Sequence, residues 1–180
     1  MFFIPGRLIA LLTFPGVICH EIAHRLFCDL TGTPVHSVCY FRVGNPAGYV
    51  VHSQARNLRS ALLISLGPLL LNSFLCAVIS FSAVIPIFTL EVSNVSFATG
   101  FMMWLGISIG MHAFPSGADM AGFRAATDRL HGNRGLRVAA TWLTAVFAVA
   151  NLARIVWFDA VYACLVAFAT PAIVLHFYWN

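Results

Sequence analysis

Lysine is absent from this 180-residue chain, glutamate occurs only at positions 21 and 91, and charged side chains make up 9% of the total. Soluble domains carry about a quarter charged residues, so a fully solvated surface is excluded. Hydrophobic residues reach 60% and mean hydropathy is +0.87. A single soluble core of that composition would leave far too much apolar surface in water, so a multi-pass membrane protein is expected, with the lipid bilayer as its solvent. Disulfide chemistry is also thinly represented. Cys19, Cys28, Cys39, Cys76 and Cys164 are an odd set without C-x-x-C spacing, which argues against a disulfide framework. No internal repeat appears, and no Ala-x-Ala pattern marks the apolar start as a signal peptide. The net charge of +4 comes from ten arginines, and no nucleic-acid partner is expected.

Charge-free stretches run from Ser60 to Leu90, Val92 to Ala118, Val138 to Ala153 and Ala160 to Asn180. About 20 residues cross a bilayer core as a helix. The third stretch is long enough if Arg137 and Arg154 snorkel to opposite interfaces. A fifth candidate, Leu8 to about Phe27, is interrupted by Pro15-Gly16. The expected fold is an all-α polytopic membrane protein, a single membrane domain over 1–180 with about five transmembrane helices. Arg25, Arg42, Arg56 and Arg59 surround the loop after the first span, and Arg124, Arg129, Arg134 and Arg137 follow the third. The positive-inside rule places both loops in the cytoplasm, the Glu91 turn outside, the N-terminus outside and the C-terminus inside. On that pattern Glu91 and Asp159 belong to the opposite face, and Arg154 is the one dissenting charge.

Between the first two spans, Val35 to Arg42 and Gly48 to His52 flank Gly44-Asn45-Pro46-Ala47. Turn residues between β-branched and aromatic runs predict a β-hairpin at the membrane surface. The second span carries Gly67-Pro68 and Asn72; a proline there frees a helix carbonyl that neighbours must satisfy. From Ala118 to Leu130 the pattern predicts a short interfacial helix, ended by His131-Gly132-Asn133.

The chemistry concentrates at His20-Glu21-Ile22-Ala23-His24. Residues four apart share a helix face, so His20 and His24 can grip one metal ion while Glu21 reaches a water beside it. A carboxylate in such an apolar run is costly without a partner, which marks Glu21 as functional. A hydrolytic zinc site needs a third protein ligand. Asp119 and His112 are candidates at the end of the third span, and His36 and His52 in the hairpin stay open. Ser116-Gly117-Ala118-Asp119 also fits a capping box that simply starts a helix. Asn72 is either an interhelical hydrogen-bond partner or a donor aimed at the reaction centre.

In this order the residues resemble the site-2 proteases, which are intramembrane zinc metalloproteases. The resemblance covers roughly Pro15 to Met120: His20-Glu21-Ile22-Ala23-His24, then Ala47-Gly48-Tyr49-Val50 like a G-Y-V stretch, then Gly67-Pro68-Leu69-Leu70-Leu71-Asn72 like G-P-x-x-N, then a proline segment ending in Asp119. The last element departs from the usual N-x-x-P-x-x-x-x-D-G: one residue is missing between Pro115 and Asp119, His112 stands for asparagine and Met120 for glycine. The resemblance implies a compact form without a PDZ domain. Its catalytic core would span about 15–120, followed by C-terminal transmembrane helices over about 136–180. It implies one Zn²⁺ per chain on His20, His24 and Asp119, with Glu21 as general base. His112 or Asn72 would assist the oxyanion or support the ligands, and Gly48, Tyr49 and Val50 would pair with the substrate as an added strand. The expected substrate is another protein's transmembrane segment, cut on the cytoplasmic side of the cell membrane. The competing expectation is a zinc-binding membrane protein, a transporter or regulator, without proteolytic activity.

Overall fold

The structure is a computed structural model describing residues 6–89, 96–129 and 134–179. The Glu91 turn and the His131-Gly132-Asn133 helix end lie outside the described residues. In chain order the elements are α1 Gly6–Leu12, α2 Phe14–Leu30, β1 Val35–Cys39, β2 Tyr49–His52, α3 Leu58–Thr89, α4 Phe97–Met111, α5 Gly117–Arg129, α6 Arg134–Ala153 and α7 Phe158–Trp179. A 3-10 turn over Arg154–Val156 joins the last two.

Among the described residues three helices are long and apolar enough to cross a membrane: Leu58–Val84, Arg134–Val156 and Phe158–Phe177. The pair α1 and α2 makes a fourth if counted as one span, although it is bent by 87°. The sequence puts the interruption at Pro15-Gly16, but the helix breaks at Thr13, and Pro15 sits in the first turn of α2, where a missing N–H costs nothing. α4 has 15 residues, about 22 Å of helix against a hydrocarbon core of about 30 Å. The sequence places this span at about Phe97 to Phe114, and the helix starts at Phe97 and ends at Met111. Outward-facing Leu70, Phe74 and Val78 on α3, and Trp142, Val146 and Val149 on α6, form the helical stripes expected against lipid.

α2, α3 and α4 meet at Asn72, which is fully buried. Its Nδ2 donates to the carbonyls of Gly16, Ile109 and His112 at 3.4, 3.2 and 3.1 Å. Gly67 lets the ring of Phe27 lie against α3, a place that a Cβ would fill. The hairpin is antiparallel, with Cys39 opposite Tyr49, Val38 opposite Val50 and an irregularity between Val35 and Ser37. Arg42 closes its loop, the backbone N–H donating to the Ala47 carbonyl at 2.7 Å and Nε to the Pro46 carbonyl at 2.9 Å.

The C-terminal region departs from the expected topology. α6 packs on α5 and returns to the end of α4, where Asn151 Nδ2 donates to the Pro115 carbonyl at 3.0 Å and Arg154 Nη2 to the Phe114 carbonyl at 3.2 Å. Those carbonyls lie past the last turn of α4, so helix geometry leaves them without partners. The turn bearing Asp159 therefore sits at the same end of α4 as Asp119, and not on the opposite face. α7 starts there, with Tyr162 against Ser73 and Phe114, and Ala163 against Cys76. Ala163, Ala167 and Pro171 form its buried side, so it runs back along α4 and parallel to α3. Since Arg56 and Arg59 flank the start of α3, α7 leads away from that end of α3, whereas the expected topology has the last helix return to it.

Candidate metal centre

Two imidazoles one helical turn apart on α2 face one carboxylate from the start of α5. His20 Nε2 and His24 Nε2 are 3.2 Å apart. Asp119 Oδ1 lies 3.2 Å from His24 Nε2, and Oδ2 lies 3.8 Å from His20 Nε2. Among the described residues these three form the one group whose ligand atoms converge, all within 4.8 Å of one another. His36 instead bonds Ser53 at 2.8 Å, and Asp29 pairs with Arg25 at 2.8 Å.

Each ring is aimed by its other nitrogen. His24 Nδ1 is 3.0 Å from the Ile64 carbonyl, which Pro68, four residues later, deprives of its helical N–H. His20 Nδ1 is 2.7 Å from the His112 carbonyl, which also accepts from Asn72. A carbonyl only accepts, so each Nδ1 carries the proton and each Nε2 of the neutral ring presents a lone pair. With both rings neutral, two lone pairs and a carboxylate point at one another with no proton between them, an arrangement that a cation satisfies. Nitrogens bound tetrahedrally to zinc at about 2.0–2.1 Å stand about 3.3 Å apart, close to the observed separation. The donor set and the orienting carbonyls both fit zinc.

Asp119 serves two functions with one carboxylate. Its Oδ2 accepts from the Ser116 N–H at 2.6 Å, while its own N–H donates to Ser116 Oγ at 3.3 Å. The capping box and the convergence on the histidines therefore coexist. Ser65 Oγ adds a bond to the Asp119 carbonyl at 3.0 Å. Burial alone would push the Asp119 carboxyl up, but the neighbouring His20 and His24 rings hold it well below the usual carboxylate range. The ionised form is the one a metal requires.

Glu21 is buried beside the ligands. It lines a cavity of about 300 Å³ together with His20, Gly48, Tyr49, His112 and Arg154. A second cavity of about 380 Å³ shares His24, Val50, His52 and Asp119 with the first. The two lie side by side at the ligands, with Val50 and His52 of β2 lining both. Gly48 makes this closeness workable: a Cβ there would sit 2.7 Å from Glu21 Cγ and 2.9 Å from its Oε1. Gly48→Ala should therefore displace Glu21 or the hairpin, and any zinc-dependent hydrolysis at this site should fall about tenfold to a hundredfold with zinc content unchanged. Activity and zinc content measured on the same preparation check this, and unchanged activity would show that the contact is immaterial.

Neither candidate oxyanion helper has a free N–H donor. His112 Nε2 lies 2.8 Å from Thr13 Oγ1, whose proton goes to the Ile9 carbonyl at 2.7 Å, and Asn72 Nδ2 is taken by three carbonyls. Both act here through the His112 backbone, which holds His20. Arg154 and Asn151 were missed as site residues. The available signal was a charge and an amide three apart inside an apolar helix, which in a membrane mark a functional neighbourhood. No family model, curated protein or solved structure matches this chain.

Proposed function

We propose that the chain is an intramembrane zinc metallopeptidase of the site-2 protease type, acting on a transmembrane segment of another protein. The observation that carries this reading is the trio of mutually facing acceptors, His20, His24 and Asp119, with the carboxylate of Glu21 in the adjoining cavity. One zinc ion held by the three residues would acidify a water and polarise a carbonyl. Glu21 takes the proton of the attacking water and delivers it to the departing amine. The sheet has two strands, so β2 has an edge for an unwound substrate segment, with Gly48, Tyr49 and Val50 along the cavity. Alongside the three long helices, the bent α1/α2 pair and the short α4 lie within the bilayer, giving five membrane helices. The arginines around Arg56 and Arg129 set the metal centre toward the cytoplasmic side of the cell membrane.

His112 and Met120, where the family pattern has asparagine and glycine, favour a second reading: a metal-binding membrane protein without proteolysis. Protein reconstituted with single-span substrates separates the two. The peptidase reading expects cleavage that stops with a chelator and returns with about one equivalent of zinc. Bound zinc without cleavage of any such substrate would leave the second reading.

A further inference from the structure

Hydrolysis of a peptide bond places negative charge on the carbonyl oxygen, and a fixed donor near that oxygen gives much of the rate. With His112 and Asn72 engaged elsewhere, the Glu21 cavity holds one cation, Arg154. Its guanidinium has five N–H donors. Nη2 binds the Phe114 carbonyl, Nε is enclosed without a hydrogen bond, and Asp159 Oδ2 is 4.0 Å from Nε. Among the described residues Nη1 has no partner. The side chain is 35% exposed, enough to meet a molecule in the cavity. A guanidinium so placed in the turn between two apolar helices lacks its full set of partners, and an anion in the cavity would complete it.

We propose that Arg154, carried in from the turn between α6 and α7, is the anion-binding donor of this cavity and takes the developing oxyanion of the substrate carbonyl. This rests on the peptidase reading. Water oxygen bonds to the carbonyl carbon, the carbonyl π pair moves onto oxygen beside Arg154, and Glu21 accepts the water proton. When the C–N bond breaks, the oxygen pair returns and the proton leaves on the amine. The catalytic unit then extends past the 15–120 core into the C-terminal helices.

Phenylphosphonate, an anion, and imidazole, a neutral metal ligand, are titrated into the full-length cobalt-loaded protein and followed by the metal's absorption bands. Arg154→Met should weaken phenylphosphonate about tenfold or more, change imidazole less than about twofold and leave cobalt stoichiometry intact. Arg154→Gln keeps a donor for the Phe114 carbonyl and should show the same selective loss, which covers a Met variant that does not fold. Arg154→Lys should recover part of it, and kcat should fall with KM nearly unchanged. Retained phosphonate affinity in Arg154→Gln, equal loss of both probes, or a selective loss in His52→Gln instead would overturn the assignment of Arg154. A wild-type protein that takes up no metal would overturn the peptidase reading as well.

Discussion

Glu21→Gln keeps zinc bound and lowers cleavage by more than about a hundredfold, the scale of losing an acid–base catalyst. Glutamine has the shape of glutamate, and neither ring anchor involves residue 21: His20 bonds the His112 carbonyl and His24 the Ile64 carbonyl. The metal ligands therefore stay in place. What disappears is a proton acceptor in the cavity that Gly48 closes. Zinc content and cleavage rate measured on one preparation check both halves. Cleavage at the wild-type rate by a pure variant would remove Glu21 from the mechanism.

Asp119→Ala strips most of the zinc and all activity. The substitution deletes the one anionic ligand and the acceptor for the Ser116 N–H together. The cap alone is worth about 1 kcal/mol, too little to account for loss of metal. Asp119→Asn separates the two contributions, because an amide oxygen still caps the helix but carries no charge for a cation. It should unfold like the wild type and bind zinc far more weakly. His112→Ala should keep zinc and slow turnover, since His112 orients His20 through its backbone carbonyl, which alanine retains. Zinc kept in Asp119→Ala and lost in His112→Ala would reverse the ligand assignment.

What could be read from the sequence followed local periodicity. The spacing of His20 and His24 and the strand pattern on either side of Gly44 to Ala47 depend on neighbours a few residues away, and the structure forms a helix and an antiparallel pair there. The Ser116 to Asp119 capping pattern was equally local, and a reader of sequence had to choose between cap and ligand where one carboxylate faces both. Relations that depend on distant orphan groups were not legible. Arg154 and Asn151 stand out as polar residues in an apolar run, but their partners, the Phe114 and Pro115 carbonyls, lie about forty residues away and leave no local pattern. The same gap reversed the expected direction of α7. The third span was legible to within three residues, whereas the break at Thr13 was not, because hydropathy records the medium around a segment and not where its helix ends.

The central claim is that three acceptors face one another because a metal ion belongs between them. Metal content of the purified full-length chain, by elemental analysis after removal of loosely held ions, tests it most directly. The account predicts about one zinc per chain in the wild type and in Glu21→Gln, with little in His20→Ala, His24→Ala or Asp119→Ala. A wild-type chain without metal, or zinc retained at full stoichiometry after loss of both His24 and Asp119, would contradict it.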